Sequence, residues 1–148
     1  MSAQTVLEEL TRDELTREHV SRRVDDWAQR IETLYRNVES WLPNGWAAEH
    51  GGSVVMSEEL MRKMHVQPRQ LPTLELVHDG KICASFRPYG LWIIGTNGRI
   101  DIVKGQKRYF LLDHADTFEV ADWYVAPATA RRDTMPFDVS WLQALLAT

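Results

Sequence analysis

Residues 81–112 read KICASFRPYGLWIIGTNGRIDIVKGQKRYFLL, and this stretch determines the fold class. Apolar and polar residues alternate over 81–87, which is the period of a half-buried β-strand. Asn97-Gly98 and Lys104-Gly105 are short, glycine-containing breaks of the kind that close β-hairpins. Strands joined by such breaks pair with their neighbours in the chain, so the stretch predicts an antiparallel meander.

The same pattern extends the predicted sheet over residues 73–125, with five or six antiparallel strands. Asp79-Gly80 marks a tight turn directly before the quoted stretch. Residues 91–94 and 109–112 are apolar on both sides, so we expect both segments to be central strands that are covered on both faces. A last strand is predicted at 119–125.

A long amphipathic helix precedes the sheet in the sequence. Seven apolar residues recur at alternating spacings of four and three, which places them on one helical face: Val20, Val24, Trp27, Ile31, Leu34, Val38 and Trp41. Thr11 with Glu14 forms a capping-box pattern, and Pro43-Asn44-Gly45 ends the run. Residues 1–42 are therefore predicted to be helical, with the stripe packed on the chain's own sheet.

The remaining segments complete one globular domain over residues 1–148. Residues 43–72 are predicted to be irregular apart from a short helix. Pro136 suits the first turn of a helix, and the apolar residues after it predict a terminal helix over 136–147. The predicted fold class is α+β: a long N-terminal helix packed on a five- or six-stranded antiparallel meander and closed by a C-terminal helix.

Composition and charge argue against several classes of function. The chain has 17 basic and 21 acidic side chains, and its net charge of −4 disfavours general nucleic-acid binding. No apolar run reaches the roughly 18–20 residues that span a bilayer. The N-terminus lacks the pattern of a secretory signal, so we expect a cytoplasmic protein that does not contact membranes. Cys83 is the only cysteine, which excludes an internal disulfide and a multi-cysteine zinc site.

No motif in the sequence indicates a cofactor or a bound metal. The glycines form neither G-x-G-x-x-G nor G-x-x-x-x-G-K-[ST], and the five histidines form no H-x-x-x-H pair. Cys83 lies in a predicted strand without a neighbouring histidine, and no serine occupies a G-x-S-x-G turn. We therefore expect neither a cofactor nor a metal ion, and a non-enzymatic function is favoured.

An enzymatic alternative depends on acidic residues of the predicted sheet. Asp101 is followed on the next strand by Asp113-His114-Ala115, and this order of helix, strands and helix resembles the restriction-endonuclease core. The resemblance implies a metal-dependent hydrolase with Asp101, Asp113 and Glu75 as catalytic acids. Ala115 stands where that family has a lysine. At roughly 3.3 Å per residue, the hairpin also separates the two aspartates by about 13 Å, too far to share one ion.

The favoured function is a small soluble binding or regulatory module that acts through protein contacts. Its candidate binding residues combine both signs of charge with tryptophan, a mixture typical of protein interfaces. They lie on the polar strand faces and in the loop after the long helix: Glu75, Arg87, Trp92, Arg99, Asp101 and Trp46. The predicted partner is a protein rather than a nucleic acid or a membrane.

A homodimer is also expected, because the chain combines a long apolar stripe with a sheet that can end in open edges. The predicted contact is the exposed flank of the long helix, with Arg30 and Tyr35 near its centre. Edge-to-edge pairing of the sheet is the alternative. It is disfavoured because the cations Lys104, Lys107 and Arg108 would repel their own copies across a nearby paired edge.

Overall fold

The structure, a computed structural model, describes residues 16–148 of the chain. The capping box predicted at Thr11 and Glu14 lies outside the described residues. In chain order, the described elements are α1 (Arg17–Ser40), β1 (Trp46–Glu49), β2 (Ser53–Met56), α2 (Glu59–Lys63), β3 (Arg69–Pro72), β4 (Leu74–His78), β5 (Lys81–Gly90), β6 (Arg99–Lys104), β7 (Lys107–Asp113), β8 (Trp123–Pro127), β9 (Met135–Pro136) and α3 (Val139–Leu146). The predicted α+β fold class is confirmed.

Seven strands form one antiparallel sheet in the order β1-β4-β5-β6-β7-β8-β9. The strands from β4 to β9 pair in sequence, as a meander, and β1 joins beside β4 through a longer connection. β2 and β3 pair only with each other. The predicted number of five or six strands is too low, because β1 and β9 have only four and two residues. Strands this short are defined by their partners rather than by a sequence period.

Two segments differ from the prediction because their contacts are with residues that are distant in the sequence. Residues 43–72 contain three short strands besides the short helix α2. Residues 91–94 leave the sheet, because the Glu58 carboxylate accepts hydrogen bonds from the amides of Leu91 (2.9 Å) and Trp92 (3.3 Å). Those amides are therefore engaged by a side chain rather than by a neighbouring strand.

The helices α1 and α3 cover one face of the seven-stranded sheet. The stripe of α1 is at most 3% exposed from Val20 to Val38. Its side chains belong to one buried cluster with sheet residues that include Leu74, Leu76, Phe86, Ile100, Ile102 and Leu111. α3 begins after Asp138, whose carboxylate accepts from the Trp141 amide at 2.9 Å, and the Trp141 ring packs edge-on against Tyr109. Pro136 thus lies in β9 and not in the terminal helix.

Strand register sorts the remaining side chains onto the opposite face, which we call the open face. Residues that are directly opposite on paired strands share a face. Phe86, Ile102 and Tyr109 form such a row on the helix-covered face, whereas Arg87, Asp101 and Phe110 form a row on the open face. Further open-face residues are Arg99, Arg108, Leu112 and Tyr124, and Tyr89 joins them because its ring lies on Arg99.

A bulge changes the face of one residue that the sequence assigns to the core. The register between β4 and β5 shifts at Leu76, so that Val77 is opposite Ile82. Ile82 is 64% exposed, although the alternation of 81–87 predicts it on the same face as the buried Ala84 and Phe86. A bulge of this kind adds one residue to one strand and moves the residues beyond it to the other face.

Leu34, which is 1% exposed at the centre of the α1 stripe, tests the packing of helix on sheet. Leu34→Ala should lower the free energy of unfolding by about 2–5 kcal/mol, because apolar contact is lost and a cavity remains. The exposed Gln29→Ala is the matched control on the same helix, expected within about 0.5 kcal/mol of the native chain. Denaturant unfolding measures both, and a loss below about 1 kcal/mol for Leu34→Ala would contradict this packing.

Alanine substitutions at two glycines with positive φ provide a second test of the packing, with one glycine as the control for the other. Gly98 has φ +115°, and a Cβ there would lie 2.2 Å from Cζ3 of the buried Trp27 ring. Gly105 has φ +61°, and a Cβ there would meet no atom within 4 Å. Gly105→Ala should therefore cost only the backbone strain of about 1 kcal/mol. Gly98→Ala adds overpacking and should cost about 3 kcal/mol or more. Equal losses in denaturant unfolding would show that Trp27 does not pack closely on Gly98.

Candidate functional site

A stack of arginine and aromatic side chains lies at the centre of the open face. The guanidinium carbon of Arg99 is 3.8 Å from the ring centroid of Tyr89 and 3.6 Å from that of Phe110. Three neighbouring strands, β5, β6 and β7, each supply one member. Contacts between a cation and an aromatic ring at this distance contribute about 0.5–2 kcal/mol each. The three strands therefore hold one positive charge between two rings.

Asp101 fixes the orientation of that charge. It lies two residues after Arg99 on β6, so both side chains project from the same face. Arg99 donates from Nε to one carboxylate oxygen at 2.8 Å and from its terminal nitrogen to the other at 3.2 Å. A two-point contact of this kind sets the plane of the guanidinium group. Asp101 is 9% exposed and has both oxygens engaged by Arg99.

Exposed cations make this half of the open face basic. Arg87 is the cross-strand partner of Asp101, and Arg108 projects from β7 on the same face. The guanidinium carbon of Arg131 lies 5.1 Å from the centroid of Phe110. Among residues 16–148, none of these three arginines forms an ion pair. We call Arg87, Tyr89, Arg99, Arg108, Phe110 and Arg131, together with Asp101, the arginine patch.

The structure brings together three of the six predicted binding residues, Arg87, Arg99 and Asp101, in the arginine patch. Glu75 projects from β4 opposite Ser85, away from the patch and towards the β1 edge. Its carboxylate accepts from the Thr73 hydroxyl at 2.8 Å and from the Gly51 amide at 3.3 Å. Glu75 therefore lies outside the arginine patch.

The two predicted tryptophans lie elsewhere. Trp92 follows the end of β5, where strand alternation no longer applies, and its ring lies 5.7 Å from the guanidinium carbon of Arg23 on α1. Trp46 is half-buried in β1, and its ring stacks on His78 with a centroid distance of 4.8 Å. Neither tryptophan stands in the arginine patch, and Trp46 is not the exposed loop anchor that the sequence suggests.

Tyr89 and Phe110 are the aromatic members of the arginine patch, and neither they nor Arg108 and Arg131 are among the predicted binding residues. Tyr89 lies in a predicted bend, at the irregularity between Pro88 and Gly90 in the pairing of β5 with β6. Phe110 belongs to a segment that is apolar on both faces and therefore resembles ordinary core. A correct strand register places Phe110 opposite Asp101, and that is the signal from which the patch can be found.

The acids of the enzymatic alternative do not meet. Phe110 is opposite Asp101 on the open face, and Asp113, three residues further along β7, projects from the other face. Asp113 is fully buried and accepts hydrogen bonds from Arg30 at 2.9 Å and from two amides of the following loop. The sheet separates the two carboxylates, so they cannot bind one ion. Within residues 16–148, no group of three or more histidine, cysteine or acidic side chains is arranged to hold a metal ion.

Arg30 and Tyr35 are not on an exposed flank of the helix, as the dimer prediction requires. Arg30 is 7% exposed and pairs with Asp26 at 2.6 Å and with Asp113 at 2.9 Å. Tyr35 is 2% exposed and donates its hydroxyl hydrogen bond to the Pro72 carbonyl at 2.9 Å. Burial, with the nearby Glu75 carboxylate, raises the pKa of Tyr35. Both side chains make their contacts within the chain, because loops as well as the sheet cover the flanks of α1.

A second polar cluster lies beneath the first half of α1. Arg23 is 4% exposed and donates to the Asn97 side-chain oxygen at 3.0 Å, and burial lowers the pKa of Arg23. One turn earlier, the His19 ring lies edge-on to Phe118. Burial is the main cause that lowers the pKa of His19, and the charges of Arg23 and Arg22 add to it. This end of the helix therefore holds a histidine that favours the neutral form.

The lowered pKa of His19 predicts a loss of stability in mild acid. Below the ordinary value of 6.5, the unfolded chain binds a proton at His19 that the folded chain still resists. The free energy of unfolding should therefore fall as the pH drops from about 6.5 towards the lowered pKa. His19→Gln should remove this part of the pH dependence in denaturant unfolding. The control is His65→Asn, at an exposed position whose positive φ asparagine tolerates, and it should retain the pH dependence of the native chain. An unchanged pH dependence in His19→Gln would contradict the prediction.

Comparisons of the chain with protein-family models, with curated proteins and with solved structures find no match. None of the helices within residues 16–148 has the length and the apolar character that crossing a membrane requires. The function is therefore inferred from the geometry of the described residues.

Proposed function

We propose that this chain is a small non-enzymatic binding or regulatory module that acts through protein contacts on the arginine patch. The observation that supports the proposal is the position of Arg99, held by Asp101 between Tyr89 and Phe110 on a sheet face that α1 and α3 leave uncovered. Arginine and aromatic side chains are enriched at the centres of protein interfaces. Because the guanidinium group is already oriented, binding would cost little side-chain entropy.

The partner that fits this surface carries acidic groups around an aromatic or apolar centre. Arg87, Arg108 and Arg131 surround the stack as exposed cations, and a carboxylate can accept two hydrogen bonds from each guanidinium group. Tyr89 is 61% exposed and offers the accessible ring. Glu49 and Glu75 are paired across β1 and β4 towards the far edge, and they would repel an acidic partner. The contact is therefore confined to the half of the open face formed by β5, β6 and β7.

Single-stranded nucleic acid is the other ligand class that binds arginine next to aromatic rings. It needs several accessible rings on which successive bases stack. Here Phe110 is only 7% exposed, because Arg99 and Arg131 lie against its ring, and Tyr89 alone is open. These features favour an acidic protein segment.

Charge reversal tests this proposal with a short fluorescent peptide of alternating glutamate and tyrosine as the probe. The double variant Arg87→Glu, Arg131→Glu should weaken binding by about tenfold or more, or about 1.4 kcal/mol, because two attractions become repulsions. Fluorescence anisotropy measures the Kd. The control Arg36→Glu, Lys81→Glu makes the same change of net charge at exposed residues outside the patch and should bind like the native chain.

Three results would contradict the proposal. The native chain does not bind the peptide, the control loses as much affinity as the patch variant, or a single-stranded RNA of similar length binds more tightly than the peptide. Each of these results would exclude either an acidic protein segment as the ligand or the arginine patch as the binding site.

Self-association into a homodimer belongs to the same proposal, as does a cytoplasmic location. The location is supported by the composition, with one cysteine in the chain. The dimer is supported by the open edges of the sheet rather than by α1, since Arg30 and Tyr35 are buried within the chain. Sedimentation equilibrium at micromolar concentration tests it, and a mass of one chain at every concentration would contradict it.

A further inference from the structure

The two edges of the seven-stranded sheet are protected to different degrees. β9 has only two residues, and one of them is Pro136, which has no amide hydrogen to donate. β1 extends over Trp46–Glu49 in regular register with β4 and has no bulge, proline, lysine or arginine. Shortness, proline, bulges and lysine are the features that prevent an edge strand from pairing with another chain. Apart from its length of four residues, β1 has none of them.

The sequence-based argument against edge-to-edge pairing depends on three cations, and these lie far from this edge. Lys104, Lys107 and Arg108 belong to the hairpin of β6 and β7, and the strands β4 and β5 lie between that hairpin and β1. Their repulsion therefore does not act between two copies of β1.

We infer that β1 pairs antiparallel with β1 of a second copy, about a two-fold axis at Ala47. The inference rests on the proposed homodimer and names its contact surface. In this register Ala47 is opposite the partner subunit's Ala47, and Trp46 is opposite the partner subunit's Ala48. The same surface is then used by both copies, as a two-fold dimer requires.

Register and burial support this axis. Ala47 and Glu49 are exposed, whereas Trp46 and Ala48 are half-buried against the core. An axis at Ala47 places open-face residues opposite open-face residues, as a continuous ladder requires. It also puts a small side chain where two identical residues meet. The two copies of Glu49 lie on opposite sides of the axis, about 13 Å apart along the strands, so they do not repel each other.

Pairing in this register would join two seven-stranded sheets into one sheet with twice that number of strands. Both open faces would lie on the same side, with Glu49 and Glu75 of both copies between the two arginine patches, so a partner with two separate acidic segments could contact both patches. Binding of two linked sites increases avidity without any new contact.

Opposite charges at the axis test the pairing directly. Sedimentation equilibrium at micromolar concentration is measured for the native chain, for Ala47→Lys, for Ala47→Glu and for their equimolar mixture. The native chain should have the mass of a dimer. Each charged variant alone should have the mass of one chain, because like charges face each other, and the mixture should regain the dimer mass. The neutral Ala47→Thr, which suits a strand, is the control and should remain a dimer.

The outcomes separate the inference from the proposal on which it rests. A native chain that is monomeric at every concentration overturns both. A native dimer that neither charged variant changes overturns the β1 contact and leaves the homodimer standing. A dimer that Ala47→Lys strengthens would place Ala47 opposite the partner subunit's Glu49 and overturn the axis. Variants that keep the circular-dichroism spectrum of the native chain and stay monomeric in the mixture also overturn it.

Discussion

The buried ion pair between Arg30 and Asp113 is the interaction on which the arrangement of helix and sheet depends. Arg30 projects from the middle of α1, and Asp113 ends β7, with 2.9 Å between their charged groups. Arg30 also pairs with Asp26 and donates to the Glu119 carbonyl. Buried charges are tolerated only where they are paired and hydrogen-bonded. The helix, the end of a central strand and the loop before β8 must therefore form together.

A second arginine–aspartate pair lies on the other side of the same strands and has a different role. Arg99 and Asp101 are on the open face, where Phe110 of β7 supports the guanidinium group. Because Phe110 and Asp113 lie three residues apart on β7, they project from opposite faces. One strand thus anchors the helix on one side and supports the arginine patch on the other. All members of the arginine patch except Arg131 project from β5, β6 and β7 rather than from loops.

Local patterns predict the elements whose stabilising contacts are near in sequence. The apolar stripe of α1 and the tight turns at Gly80 and Gly105 are of this kind, and the structure contains all three. The features that local patterns do not predict depend on contacts between residues that are far apart in the sequence. Residues 91–94 leave the sheet because of Glu58, and Arg30 is buried because Asp113, 83 positions away, neutralises it.

The candidate site follows the same division. Alternation along β6 is enough to put Arg99 and Asp101 on the polar face, and Arg87 follows from the alternation of β5. Tyr89 and Phe110 require the register between strands, including the irregularity between Pro88 and Gly90. No local period determines such an irregularity, so Arg87, Arg99 and Asp101 can be predicted from the sequence and the aromatic members of the arginine patch cannot.

The one-sided placement of the helices has a consequence for how this chain tolerates change. Side chains of the open face share few neighbours with the core, since the sheet itself stands between them. Substitutions at such separate sites have nearly additive effects on stability. Most positions of the open face can therefore vary in charge and shape, and with them the choice of partner, while the fold is retained. β7 is the exception, because a shift of its backbone at Phe110 would also displace Asp113. Specificity can diversify along β5 and β6, whereas Phe110 of β7 must stay as it is.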